Sequence, residues 1–191
     1  MRNIALYSVI ISFTFISSCS SKDEDIDFDN INDMQQILLS QTEINDLKVL
    51  REEEKLARDV YLYAYDKYGT NIFINISKSE QQHMDRILVL LNNYNIVDPA
   101  LPNNGEFTNQ ELQELYDDLT AQVDISLVEA LKVGATVEDL DIKDIDDFEK
   151  RTDKSDILDV YERLKCGSRN HIRNYYNQLE KKGVFYSAQF I

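Results

Sequence analysis

Four stretches of this sequence carry apolar residues at steps of three and four, and each stripe is interrupted by an acid or a histidine. The stripes read Leu47, Leu50, Glu54, Ala57, Tyr61, Ala64, Tyr68; then Ile76, Glu80, His83, Ile87, Leu90, Tyr94; then Leu127, Leu131, Gly134, Glu138, Asp141; and finally Ile157, Val160, Leu164, Ser168, His171, Tyr175, Gln178. Steps of three and four put side chains on one face of an α-helix, so the polar residues share the face that turns inward. Carboxylates and imidazoles are costly to bury unless they pair or meet a cation. A chain that places them on four inner faces is constrained to bring those faces together.

Helix breakers are scarce: the prolines are Pro99 and Pro102, and there are five glycines in 191 residues. Hydrophobic residues make up 43% of the chain, enough for a substantial core. Ser40 to Glu43 has the form of a capping box and Gly69 that of a C-cap, which bounds a first helix. A second follows from about Asn71 to Tyr94, and the two-residue link folds the pair back as a hairpin. The segment 95–123 holds both prolines and the turn-like Asn103-Asn104-Gly105, then a short helix starting at Thr108 with Glu111 as its box partner. It reads as a long crossover. A third long helix opens at Ser126 with Glu129 as box partner, and Gly134 within it implies a close helix approach that offsets its poor helix propensity. Asp139 to Asp147 reads as a polar, acidic connection, with or without a short helix of its own, and a fourth long helix runs from about Ser155 to Lys182 and stops at Gly183. The predicted fold class is therefore all-α: a four-helix bundle with a long crossover, carrying a short extra helix, between the second and third helices. The bundle domain spans 41–183, and the tail 184–191 is expected across one end of it.

Residues 1–18 read as a signal peptide, with Arg2 ahead of an apolar run too short to span a bilayer comfortably. Ile16-Ser17-Ser18-Cys19 looks like a bacterial lipobox, in which Cys19 is lipidated and becomes the first mature residue. Residues 19–40 then form a flexible acidic linker, and its Ser20 to Asp25 resembles the export tether of Bacteroidota surface lipoproteins. The expected location is the cell envelope, lipid-anchored, at the outer membrane on its periplasmic or exposed face. With Cys19 lipidated, Cys166 lacks a disulfide partner and reads as a half-buried packing residue. A formal charge of −15 without clustered Lys and Arg excludes nucleic acid as a partner.

Glu80 and His83 lie three apart on one helix face and can reach a single metal ion. Carboxylate oxygens together with imidazole nitrogens suit iron or manganese, as one or two ions. Glu54 to Arg58 with Tyr61 resembles the first-helix motif of rubrerythrins and ferritins, and Ser79-Glu80-Gln81-Gln82-His83 resembles their second-helix Glu-x-x-His. With Val137-Glu138 and Ser168 to His171 added, the set resembles an uncharacterised ferritin-like family, domain of unknown function 2202, over about residues 40–182. The resemblance implies a ferritin-like four-helix bundle whose metal ligands are Glu54, Glu80, His83, Glu138 and His171. Glu54 and Glu138 would bridge or cap the ions, with the other three as terminal ligands. Ser168 stands where such proteins usually carry a bridging Glu, and Asp141, one turn beyond Glu138, is a compensating candidate.

Around this set, Glu53 is a reserve ligand, and Arg58 is a partner for Glu54 or part of a surface ion pair. Tyr61 and Tyr175 read as core packing with satisfied hydroxyls, or else as hydrogen-bond partners of ligands or electron relays. Arg169 and Asn170 are expected to support His171 or an adjacent helix. The function implied is iron or manganese redox chemistry with oxygen or peroxide, using an outside electron donor that the sequence does not specify. The alternatives are a non-enzymatic metal-binding lipoprotein that buffers iron and a metal-free interaction bundle. A homodimer is compatible with any of the three.

Overall fold

The computed structural model describes residues 38–190. The signal-peptide and lipidation readings, and most of the linker, lie outside them. Among the described residues there are five helices and no strands: α1 Gln41–Tyr68, α2 Asn71–Asn93, α3 Gln110–Val123, α4 Leu127–Glu149 and α5 Ser155–Glu180. None is long and apolar enough to cross a membrane.

The termini of α1 follow directly from its sequence. The Ser40 side chain accepts the Glu43 N–H while the Glu43 carboxylate accepts the Ser40 N–H, and Gly69 closes the helix at φ 62° with its N–H on the Tyr65 carbonyl. That left-handed conformation favours glycine, so the chain reverses at once into α2. Two hairpins, α1–α2 and α4–α5, make the most extensive packing, and α1 against α4 with α2 against α5 closes the four long helices into a ring. The crossover therefore passes from α2 to α4 across the bundle diagonal, and its helix α3 lies over α1 and α4.

Two boundaries differ from the sequence reading. The short helix is capped by Asn109, whose side chain accepts the Glu111 N–H, one residue later than Thr108. Thr108 is engaged elsewhere: its N–H goes to Glu52 and its hydroxyl to the Pro99 carbonyl. The acidic stretch 139–147 is not a connection but the second half of α4, which runs on to Glu149. Ile142, Ile145 and Phe148 turn inward at steps of three, and outward acids meet lysines, with Lys143 on Asp147 and Lys165 on Asp146 and Glu149. Acidity concealed an apolar period that a run without Pro or Gly should have exposed.

The apolar core falls into two parts. One gathers Tyr61, Ala64, Phe73, Leu131, Tyr175 and Leu179. The other gathers Leu47, Leu50, Ile87, Leu90, Ile145, Ile157 and Leu164. On every long helix the residues between the two parts are the polar interruptions of the stripes: Glu54, Glu80 and His83, Glu138, Ser168 and His171, all buried. A polar layer thus crosses the bundle at mid-height. The tail does not cover an end. Tyr186, Gln189 and Phe190 all donate to Asp139, midway along α4.

Candidate metal centre

The layer is organised around Glu80. Its Oε2 lies 2.9 Å from His83 Nδ1 and its Oε1 lies 2.8 Å from His171 Nδ1. His83 Nδ1 also stands 3.1 Å from Glu54 Oε2, and His171 Nδ1 stands 3.3 Å from Glu138 Oε2. The two imidazoles are nearly parallel, with centroids 5.7 Å apart. One donor atom from each of Glu54, Glu80 and His83 lies within 4.8 Å of the others, and the same holds for Glu80, Glu138 and His171. Glu80 is common to both triads. All five predicted ligand residues therefore meet in one place, but the carboxylate positioned between the two halves is Glu80, not Glu54 or Glu138.

Protonation of these groups follows from charge and burial. Burial alone would push both imidazoliums down, but the surrounding carboxylates reverse it and raise His83 to about 12 and His171 to about 10. Burial raises Glu54 to about 8 against the pull of His83. Burial also opposes ionisation of Glu80, yet hydrogen bonds from His171 and His83 bring it down to about 2. Protons on the imidazoles hold the positive charge that the carboxylates require, and cations can replace them. One oxygen is left over: Glu54 Oε1 is shut from solvent without a hydrogen-bond partner. A buried carboxylate oxygen without a donor, set among imidazole nitrogens and further carboxylates, suits a metal ion.

The surrounding residues divide into those that hold the centre and those that face elsewhere. The Tyr61 hydroxyl donates to Glu138 Oε1 at 2.7 Å. Ser168 donates to Asp141, so a serine on α5 and an aspartate on α4 occupy the region where a bridging glutamate was expected. Asp141 belongs to neither triad, and neither does Glu53, whose Oε2 is buried without a partner. Arg58 does not reach Glu54; it donates to Asp59, Gln81 and Asn104. Arg169 pairs with Glu162 at the surface, Asn170 accepts from Arg173, and Cys166 is exposed. The Tyr175 hydroxyl is buried but unpartnered, unlike the satisfied core tyrosine that was expected.

Two contributors escaped the sequence reading. Ser79 Oγ lies 3.0 Å from His171 Nε2 and fixes the far side of that ring. Gly167 gives His83 its space, since a Cβ there would fall 2.5 Å from His83 Nε2. A glycine inside a helix lowers helix propensity by about 1 kcal/mol relative to alanine, which was the available signal. Gly134 behaves as anticipated: a Cβ there would meet the Tyr175 ring at 2.4 Å.

The chain is similar to known proteins over most of its length. The uncharacterized protein domain model DUF2202 matches residues 43–191, tail included. The uncharacterized protein MJ0754 of Methanocaldococcus jannaschii is 49% identical over 154 residues, 80% of this chain and 83% of that protein. The crystal structure of hypothetical protein MJ0754 from Methanococcus jannaschii DSM 2661 has a TM-score of 0.80 at 49% identity, over 81% of this chain and 89% of that one. Most of the sequence, and with it the whole polar layer, falls within the matched span: the chain belongs to the DUF2202 family.

Proposed function

We propose that this protein is a ferritin-like bundle that binds a pair of iron or manganese ions and uses them in redox chemistry with oxygen or peroxide. The observation that carries the reading is Glu80, a buried carboxylate shared by two carboxylate–histidine triads. Glu54 and His83 would hold one ion, Glu138 and His171 the other, and Glu80 would span both. The ring of four helices joined by a diagonal crossover supports the ferritin-like assignment. A bound pair of this kind supplies one-electron steps to the oxidant.

The chain's own groups prepare the site. Tyr61 holds Glu138 through Oε1 and leaves Oε2 toward His171. Ser79 on Nε2 of His171 keeps its Nδ1 directed at Glu80 and Glu138. The two apolar core parts exclude water above and below the layer, which strengthens every charge interaction within it. At its N-terminus the protein is held to the envelope by lipid on Cys19. Cys19→Ala should leave an unprocessed precursor or release the protein from the membrane fraction, and a variant that matures and stays membrane-bound removes the anchor from the proposal.

The test of the centre is elemental analysis of protein supplied with ferrous iron or manganese, followed by oxygen and peroxide consumption with an added reductant. About two ions per chain with turnover supports the redox reading. Two ions without turnover would make the protein a metal-capturing envelope lipoprotein. Binding of neither metal would leave only the structural bundle.

A further inference from the structure

Between α1, α3, α4 and the C-terminal tail lies a cavity of about 120 Å³. Leu56 on α1, Leu112, Leu115 and Leu119 on α3, Val137 on α4 and Phe190 of the tail form its walls. The three leucines of α3 recur at steps of three and four, so the crossover helix turns one apolar face onto this space. The surface the cavity presents is almost entirely carbon.

The floor is the metal centre. Glu54, Glu80 and Glu138 line the cavity, whereas neither histidine does, so it opens onto the carboxylate side of the two triads. Both Glu138 oxygens are engaged, by Tyr61 and His171, and one Asp141 oxygen accepts from Ser168. An ion entering would lose its hydration against leucine walls, and an anion would also meet Glu53, Asp141 and Asp144. A dry apolar cavity of about 150 Å³ is large enough for benzene or xenon. This one is of similar size.

We propose that the cavity binds a small, uncharged, apolar molecule no larger than a benzene ring, and presents it to the carboxylate face of the centre. The presentation rests on the metal-site reading; the binding does not. Phe190 sets the size limit, because the backbone N–H groups of Gln189 and Phe190 on Asp139 pin the tail as one wall.

Benzene is the probe, followed by thermal unfolding of the full chain, both metal-stripped and manganese-supplied. Benzene at about tenfold its Kd should raise Tm by about 3–6 °C through mass action. Benzoate and benzylammonium at the same concentration should leave it unchanged. Leu115→Phe, which fills the space from a partly buried position on α3, should abolish the benzene shift. Phe190→Ala should let indole raise Tm where wild type does not respond, and this arm decides the matter if Leu115→Phe fails to fold. The proposal is overturned by wild type that ignores benzene, by equal shifts from the charged rings, or by a folded Leu115→Phe that keeps its shift. Metal content measured on the same samples separates the two readings. A benzene shift in protein that binds no metal retains the cavity and removes the centre, and metal-bound protein without a shift does the reverse.

Discussion

Glu54 and Lys55 are neighbours on α1, both buried, and they face two differently built polar interiors. Lys55 Nζ donates to Asp59 Oδ2 at 2.6 Å and to the carbonyls of Asn103 and Glu106, so all three of its protons are used. Asp59 also receives Arg58 Nε and the Gly105 N–H. That set is closed: it ties the crossover loop to α1 and asks for no further ligand. The set around Glu54 is open, because Glu54 Oε1 has no donor and the two imidazoles must carry protons to balance the acids. Burial alone therefore does not mark a site. Burial with donors missing does.

The largest expected effect would test the closed side. Lys55→Met strips Asp59 Oδ2 of its ammonium, leaves the carbonyls of Asn103 and Glu106 without that donor, and should lower unfolding free energy by about 3–5 kcal/mol. Denaturant titration should give the same loss with and without metal, and Lys55→Met with Asp59→Leu should recover much of it. A loss confined to metal-loaded protein would place Lys55 with the centre and dissolve the contrast.

The open side is probed by stoichiometry. Metal at about a hundredfold its Kd should add about 2.7 kcal/mol of stability. Glu54→Ala and His83→Ala should each remove one ion by elemental analysis, while Glu80→Ala should remove both, since it is common to the triads. If Glu80→Ala retains as much metal as Glu54→Ala, the shared-carboxylate arrangement is wrong.

A pH series gives the next effect. In metal-free protein the imidazoliums have folded pKa values above the ordinary histidine value, so their stabilisation is complete below about 6.5. It declines as pH rises toward about 10 for His171 and about 12 for His83. Glu54, raised to about 8, acts in the same direction, losing stability between about 4.5 and 8. Tm without metal should fall from pH 6 to pH 9. Because metal displaces those protons, its affinity should rise over the same interval. Parallel curves with and without metal would show that the ions do not occupy the proton positions.

Gly167→Ala should have the smallest effect. Its Cβ displaces the His83 ring, and metal affinity in the Glu54–His83 half should fall about tenfold, a typical loss when a ligand's support is disturbed. Stability without metal should change by less than about 1 kcal/mol, because alanine favours the helix. Unaltered metal binding, followed by competition with a chelator, would show that the ring has room to move.

Much of this site was legible because helix phase is a local property. Glu54, Glu80, His83, Glu138 and His171 each sit in register with leucines and isoleucines on their own helix, and that register alone predicted that all five turn inward. The capping box at Ser40 and the stop at Gly69 were equally local. Residues on helix flanks were not readable in this way. Arg58 has Asp59, Gln81 and Asn104 within reach, and the choice among them and Glu54 depends on how α1 is rotated against α2 and the crossover. The acidic half of α4 misled because its charges masked a local apolar period, and part of their balance, Lys165, arrives from α5.

What the sequence determined by itself is the helical class, the inner faces and the kinds of donor atom on them, because a period near 3.6 residues needs no partner to be expressed. Only the tertiary structure decided that Glu80 lies between both imidazoles, that Ser168 meets Asp141, that Gly167 clears space for His83, and that α3 and the tail enclose a cavity above the acids. Each of those depends on distances between helices brought together by packing of the two apolar core parts, and interhelical distance has no counterpart in the spacing of residues along one chain.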